Sequence, residues 1–402
     1  MQKLMILGAG IYQVPLIKKA QAMGLETIVV SYPGPYPGLD VADRALLLDT
    51  TDAAGVLDAA RRERIDGIVT TGTDVAVRTI GVVCDALGLP GVSEQCALSL
   101  TDKATMKAMF KRGGVPTAPF EEVRSLEETR AAAELIGFPV MVKACDVSGS
   151  RGITKVEDAH GIDNAYLAAM GATHTDHLVV EGFVEGHEIG IDGFVLDGKL
   201  ALFAPHGKFT YTIGGVTVPA GHSFPLHASQ AVLDRAQDAI ERAIAASGLA
   251  TGAFNSDVMI TPEGEVSILE MGARCGATGI PELITMYTGI DYYEQIIRAS
   301  LGLPLSLAVQ DAPVPCMSKL LFSRRSALVE DVDLESVKAL ENRYRALITI
   351  DVAPGDQVHA AHDGTDRYGS IVMPASSEQE IDEALEELRG CIKLGAAAPC
   401  IP

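Results

Sequence analysis

The chain has 402 residues, 48% of them hydrophobic, with a formal net charge of −21 and a sequence pI of about 4.8. That length allows two to four domains at roughly 100–200 residues each. So acidic a balance excludes nucleic acid and anionic membrane as main partners, because both need lysine and arginine surfaces; a small phosphorylated ligand in a local basic pocket stays open.

MQKLMILGAG enters a strand at once, without the charged region and cleavage site of a secretory signal. No run approaches the ~18 apolar residues of a membrane helix. The seven cysteines (Cys84, Cys96, Cys145, Cys275, Cys316, Cys391 and Cys400) are scattered and never in CxxC spacing. They suit free thiols, so a cytoplasmic location is expected. Cys275 reads as a small buried hydrophobe, not a nucleophile.

Residues 1–97 alternate short apolar runs with helical patterns. KLMILGAG, ETIVVSY and IDGIVTTG read as strands, and residues 13–23, 53–64 and 74–87 as helices. This is the βαβ pattern of a parallel sheet. The loops SYPGPYPG and TTGTD fall at carboxyl ends of strands, where open α/β sheets bind ligands. Gly8-Ala9-Gly10-Ile11-Tyr12-Gln13 approaches the dinucleotide fingerprint, but Gln13 replaces the third glycine and Ser31 follows the second strand where an acid is wanted. A tight strand-to-helix turn is the plainer reading, with an NAD-dependent oxidoreductase as the rival.

From Thr101 the texture changes. TDKATMKAMFKRGG predicts a helix capped by Thr101 or Asp102 and stopped by Gly113-Gly114. FPVMVKA, GITKVE, HLVVEGFV, HEIGIDGFVLDGKLALF and the run 253–270 read as antiparallel strands, with turns at LDGK and TPEGE. Helices are expected at 126–136, 159–170 and 230–247. KFTYTIGGVTVPAG, flanked by His206 and His222, reads as a loop, and either histidine is a substrate contact or a surface residue. His187 helps to position its segment. From about residue 306 short strands return, closed by the helix SSEQEIDEALEELRGCI.

Chemistry concentrates in a few segments. Lys143 ends a strand and is followed by Ser148-Gly149-Ser150-Arg151-Gly152. Alone, this strand–loop–strand piece is either a phosphate cradle of backbone N–H groups and hydroxyls or an ordinary hairpin. It is no Walker loop, since GxxxxGK[ST] is absent and a strand follows. In LVVEGFVEGHE, the backbone of Glu181-Gly182-Phe183-Val184 can meet an adenine edge and Glu188 a ribose. Asp257 and Glu270 interrupt two apolar strands joined by the TPEGE turn. They are either exposed strand acids or, facing one cavity, a magnesium site. Arg274, four residues on, adds fixed positive charge.

The order Lys103, Lys143 with SGSRG, EGFVEGHE, then Asp257 and Glu270-Met271-Gly272-Ala273-Arg274 resembles the ATP-grasp superfamily, most closely its biotin carboxylase-like group with the amino-acid ligases. The resemblance covers nearly the whole chain. It implies an α/β and α+β fold: a Rossmann-like domain over 1–100, an ATP-grasp domain over 101–305 with its lid at about 115–182, and a C-terminal α+β domain over 306–402. It implies ATP as cosubstrate and Mg2+ as cofactor. Lys103, Lys143 and the loop Ser148, Gly149, Ser150, Arg151, Gly152 would hold phosphates. Glu181, Gly182, Phe183 and Val184 would line the adenine, and Glu188 the ribose. Asp257 and Glu270 would bind the metal, and Arg274 would stabilise an acyl phosphate. The implied activity is an ADP-forming carboxylate–amine ligase with small-molecule acid and amine substrates. The alternative is bicarbonate phosphorylation of the carbamoyl-phosphate synthetase or biotin carboxylase kind. A homodimer is an open expectation.

Two departures stand out. The family's metal motif often reads Glu-x-Asn, and Gly272 stands at the Asn position, with Asn255 the nearest substitute in the sequence. Where biotin carboxylases carry Gln-Val-Glu, this chain has Cys275-Gly276-Ala277-Thr278-Gly279, which points to amino-acid ligases and away from bicarbonate.

Overall fold

The structure, a computed structural model, describes residues 1–147, 149, 151–213, 216–361 and 366–395. It divides into two compact units. The first contains 1–204, 228–276 and 293–307, and the second 205–227, 277–292 and the chain from 308 onward.

The first unit opens with β1 (Lys3–Leu7), β2 (Glu26–Ser31), β3 (Arg44–Leu47) and β4 (Gly67–Val69), a parallel sheet in the order β3-β2-β1-β4. β1 and β2 are buried almost throughout, as parallel strands covered on both faces must be. The predicted helices appear as Val14–Ala22, Ala53–Glu63 and Val77–Leu87. The short helix Pro37–Val41, the mostly exposed β3 and the helix Glu94–Thr101 lacked a readable period. Gln13 explains the incomplete glycine motif. Its side chain folds over Gly8 and Gly10, and its Nε2 donates to the Thr71 carbonyl at 2.5 Å. The chain's own amide thus fills a turn that a dinucleotide fingerprint keeps clear for pyrophosphate.

An antiparallel sheet follows: β5 (Phe120–Val123), β6 (Val140–Ala144), β7 (Ile153–Val156) and β8 (Leu178–Gly182), in the order β5-β8-β6-β7. The helices Leu126–Ile136 and Ile162–Ala172 supply Ala132, Ala133, Ala165 and Ala169 to its core beside Val140, Val142 and Val180. Lys143 pairs with Ile153, so the Gly-rich segment is the tip of a hairpin. β9 (His187–Leu196) and β10 (Lys199–Ile213) turn back at Asp197 and Gly198. Both adopt positive φ, 51° and 72°, the requirement of a two-residue type I′ turn.

β10 runs into the second unit, where it pairs antiparallel with β11 (Val216–Phe224). The segment expected as a loop is therefore a long hairpin. Its Gly-Gly and Pro219 read as punctuation, yet Pro219 sits in the ladder opposite Thr210, beside a bulge. In the first unit, β12 (Gly252–Ile260) and β13 (Val266–Gly272) pair antiparallel, giving the order β13-β12-β9-β10.

The second unit adds β14 (Cys316–Leu321), β15 (Ala327–Val332), β16 (Leu347–Ile350), β17 (Gln357–Val358), β18 (Gly369–Pro374) and β19 (Ile392–Leu394). Its main sheet runs β10-β11-β14-β18-β16 and a small one β17-β15-β19. The expected terminal helix, Glu378–Gly390, buries Ile381, Leu385 and Leu388 with Leu321 and Ile371. Truncating one such leucine to alanine costs roughly 2–5 kcal/mol. Among the described residues no helix is long and apolar enough to cross a membrane.

Candidate active site

The first unit holds a cleft of about 1070 Å³. Its wall includes Lys103, Arg151, Glu270 and Arg274, together with Tyr32, Asp49, Asp74 and Arg78 from segments following the parallel strands. The loops flagged at carboxyl strand ends and four residues of the resemblance thus share one cavity. Lys143, Gly149, Gly152, Glu181, Gly182, Phe183, Val184, Glu188 and Asp257 are not on that wall. Ser148 and Ser150 lie outside the described residues.

Lys103 is placed by its helix. Asp102 caps Lys103–Gly113, its Oδ1 accepting the Thr105 N–H at 2.8 Å; an oxygen here satisfies a donor with no helical partner. The Lys103 N–H donates to the Cys145 carbonyl at 3.0 Å, and its ammonium donates to the Val147 carbonyl at 2.8 Å. The same Nζ stands 3.6 Å from Glu270 Oε2. The glycines of the adjoining loop have backbone reasons to be glycine. Gly149 has φ of 72° and Gly152 of 64°, and a Cβ on Gly152 would come within 2.7 Å of the Ala172 Cβ.

Behind that surface lies a buried charge cluster. The Lys143 ammonium pairs with Glu181 Oε1, and Lys107 Nζ lies 2.7 Å from Glu181 Oε2. Lys107 also donates to Thr117 Oγ1 at 2.7 Å, which donates on to the Ile268 carbonyl. Glu181 is 1% exposed, Lys107 2% and Lys143 9%. Burial pushes the Glu181 carboxyl up, but Lys143 and Lys107 outweigh it and hold the group well below its usual range. Lys107 escaped the sequence reading, although a lysine between Met106 and Phe110 on an apolar helix face was a signal.

Beyond Glu181 the backbone is engaged within the protein. Gly182 N–H donates to the Pro119 carbonyl at 2.9 Å and Phe183 N–H to the Pro139 carbonyl at 3.1 Å. The Lys155 ammonium sits 3.9 Å from the Phe183 ring centroid. Val184 is half-buried, and Glu188 is exposed, opposite Met259 in the ladder.

Asp257 faces Glu270 across the β12–β13 ladder, and Asn255 faces Gly272. Arg274 is fixed just past β13. Its Nη2 meets Asp74 Oδ2 at 2.5 Å, and its Nη1 donates to Asn255 Oδ1 at 3.2 Å and to the Cys275 carbonyl at 3.1 Å. Burial works against its charge, but the Asp74 carboxylate more than offsets this and keeps the guanidinium charged. Asn255 Nδ2 donates to Asp192 Oδ2 at 2.7 Å, while Asp192 Oδ1 accepts the Gly276 N–H at 2.7 Å. The Asn255 amide is therefore used at both ends, which counts against it as the replacement at the Asn position. Asp192, a carboxylate in the apolar strand HEIGIDGFV, and Asp74 were both missed as site residues.

In the second unit His206 and His222 are buried, not surface loop residues. Their rings meet edge to face at 4.7 Å, and His222 Nε2 is 2.5 Å from Thr278 Oγ1. Burial, with the adjacent His206 and Lys208, holds His222 neutral. His187 is exposed at the start of β9. Among the described residues the six cysteines form no disulfide, and all are buried.

A family model described as the D-ala D-ala ligase C-terminus matches residues 109–299. The formate-dependent phosphoribosylglycinamide formyltransferase of Rhodococcus jostii (strain RHA1) is 27% identical over 395 residues, spanning 93% of this chain and 96% of its own. The crystal structure of phosphoribosylglycinamide synthetase from Anaerococcus prevotii matches with a TM-score of 0.80 at 26% identity, covering 98% of this chain and 99% of that one. L-amino acid ligase from Bacillus licheniformis shares the fold, with a TM-score of 0.80 at 18% identity over 98% of both chains. Residues 109–299 thus carry an ATP-grasp ligase domain, and the chain is an ADP-forming enzyme that makes C–N bonds with ATP and Mg2+.

Proposed function

We propose that the acid activated by this enzyme is an amino acid or a similarly small carboxylate, joined to an amine through an acyl phosphate. The observation that carries this reading is the mixed lining of the cleft. Arg78 offers a guanidinium suited to a carboxylate, while Asp49 and Glu94 offer carboxylates suited to an ammonium, beside Lys103, Glu270 and the Arg274–Asp74 pair. A cleft carrying both signs matches a zwitterion better than a bare acid.

In this reading Lys103, Lys143 and the loop Ser148 to Gly152 hold phosphates, with Arg151 at the cleft. Glu181 to Val184 border the adenine and Glu188 the ribose. Asp257 and Glu270, hard oxygen donors facing each other across two strands, fit Mg2+; the ion would offset charge on the phosphate oxygens. A substrate carboxylate oxygen attacks the γ-phosphorus and ADP leaves. The amine then attacks the acyl carbon and phosphate leaves, with Arg274 beside the developing charge. In this reading the partners are small molecules, the enzyme works in the cytoplasm, and light scattering checks the homodimer.

The test is an ADP-release screen over amino acids and small acids paired with amines, with product masses, alongside Lys143→Ala and Glu270→Ala. Amino-acid-dependent ADP release with a mass corresponding to an amide, lost in both variants, is expected. ADP release stimulated by bicarbonate alone, or retained in both variants, would defeat the reading.

A further inference from the structure

We propose that Asp102, Cys145 and His177 form a site for a thiophilic divalent cation of the Zn2+ class, at the root of the helix that begins with Lys103. Each residue comes from a different element. Asp102 caps the helix Lys103–Gly113, Cys145 follows β6, and His177 precedes β8. Their ligand atoms, one carboxylate oxygen, one sulfur and one ring nitrogen, all lie within 4.8 Å of one another. This is a donor set that zinc takes, and bonds of about 2.0–2.3 Å draw such atoms together over a short distance.

The histidine is oriented for this task. Its Nδ1 lies 3.1 Å from Asp176 Oδ1, and its Nε2 lies 3.0 Å from Asp102 Oδ2. A carboxylate that takes the Nδ1 proton leaves a lone pair at Nε2, as in the carboxylate–histidine pairs behind metal ions. A lone pair facing a carboxylate oxygen needs positive charge between them, either a second proton or a cation. The sulfur of Cys145, fully buried beside them, favours the cation, because a proton shared by two groups has no use for a third ligand. Asp102 can serve both the helix and the ion, since its Oδ1 alone caps the Thr105 N–H. Asp102 and His177 also line the cleft, so the three ligands leave a coordination position open towards it. The Cys145 carbonyl already accepts the Lys103 N–H at 3.0 Å, and the ion fastens the same elements that seat Lys103. The site shares no residue with the reading of Asp257 and Glu270 as magnesium acids. Mg2+ selects oxygen, whereas thiolate selects softer ions.

The experiment titrates the full chain, stripped of metal by a chelator, with Co2+ and then Zn2+. A cobalt–thiolate bond gives a charge-transfer absorption, and thermal melting without metal checks that each variant folds. One equivalent of Co2+ should produce the band, Zn2+ should displace it, and excess Mg2+ should leave it unchanged. Cys145→Ala should abolish the band. Asp176→Ala, which removes the support behind the histidine, should weaken Co2+ by about 10–100-fold, and His177→Gln should weaken it further. Zn2+ should raise the melting temperature of the unaltered protein and not that of Cys145→Ala. A missing band, a band that survives in Cys145→Ala or yields to Mg2+, or an affinity that His177→Gln leaves unchanged overturns the inference. So does a melting temperature that His177→Gln lowers without metal and that Zn2+ does not move in the unaltered protein, which identifies a protonated imidazole bridging Asp102 and Asp176.

Discussion

Two charge clusters of the first unit solve the same problem by different means. Around Glu181, two ammoniums face one carboxylate in a nearly dry interior. Around Arg274, the Asp74 carboxylate pairs with the guanidinium, and the neutral Asn255 amide links that guanidinium to Asp192. The first relies on contact between charges, the second on a chain of hydrogen bonds.

The contrast breaks most sharply at Glu181. Replacing it with alanine leaves two ammoniums facing each other without a counter-charge, and stability to urea should fall by about 3–5 kcal/mol. An unchanged midpoint would mean that the carboxylate does not organise the cluster. A milder probe is pH. Burial raises the Glu181 carboxyl, but the two lysines bring it down to about 2, against 4.5 for the free group. A folded-state value below the unfolded one stabilises fully above pH 4.5, and that stabilisation is lost as pH falls from 4.5 towards 2. Glu181→Gln should remove this acid-dependent component, and parallel pH–stability curves for the two proteins would contradict the proposed titration. The smallest effect belongs to the second cluster. Asn255→Ala removes a neutral link and should cost about 1–3 kcal/mol, the range for leaving buried partners unpaired. A larger loss than at Glu181 would reverse the ranking of the two regions.

Much of this site could be read along the chain because its residues break local rules. Glu270 interrupts an apolar strand, Lys143 ends one, and Arg274 follows in a Gly-rich stretch. Lys103 follows a legible cap, Asp102. Partners from distant segments leave no such mark. Asp74 looked like a loop residue because Arg274, which gives it a task, lies 200 residues away. Lys107 appeared as one of several lysines on a helix until Glu181, on another element, made it a buried ion. The same limit explains the β10–β11 hairpin. Gly-Gly and proline are local turn signals, while the pairing of Thr210 with Pro219 and of β11 with β14 is a long-range fact.

The bond from the Lys103 ammonium to the Val147 carbonyl has a consequence for reading nucleotide affinities. A phosphate that draws this ammonium away must release the carbonyl, and an unpaired buried acceptor costs about 1–3 kcal/mol. The measured affinity of a ligand that engages Lys103 is therefore a difference between two contacts. Ligands that all engage it share the release, which cancels when they are ranked against one another. Comparison with a ligand that leaves Lys103 in place does not cancel it, and will understate the strength of the phosphate contact by that amount.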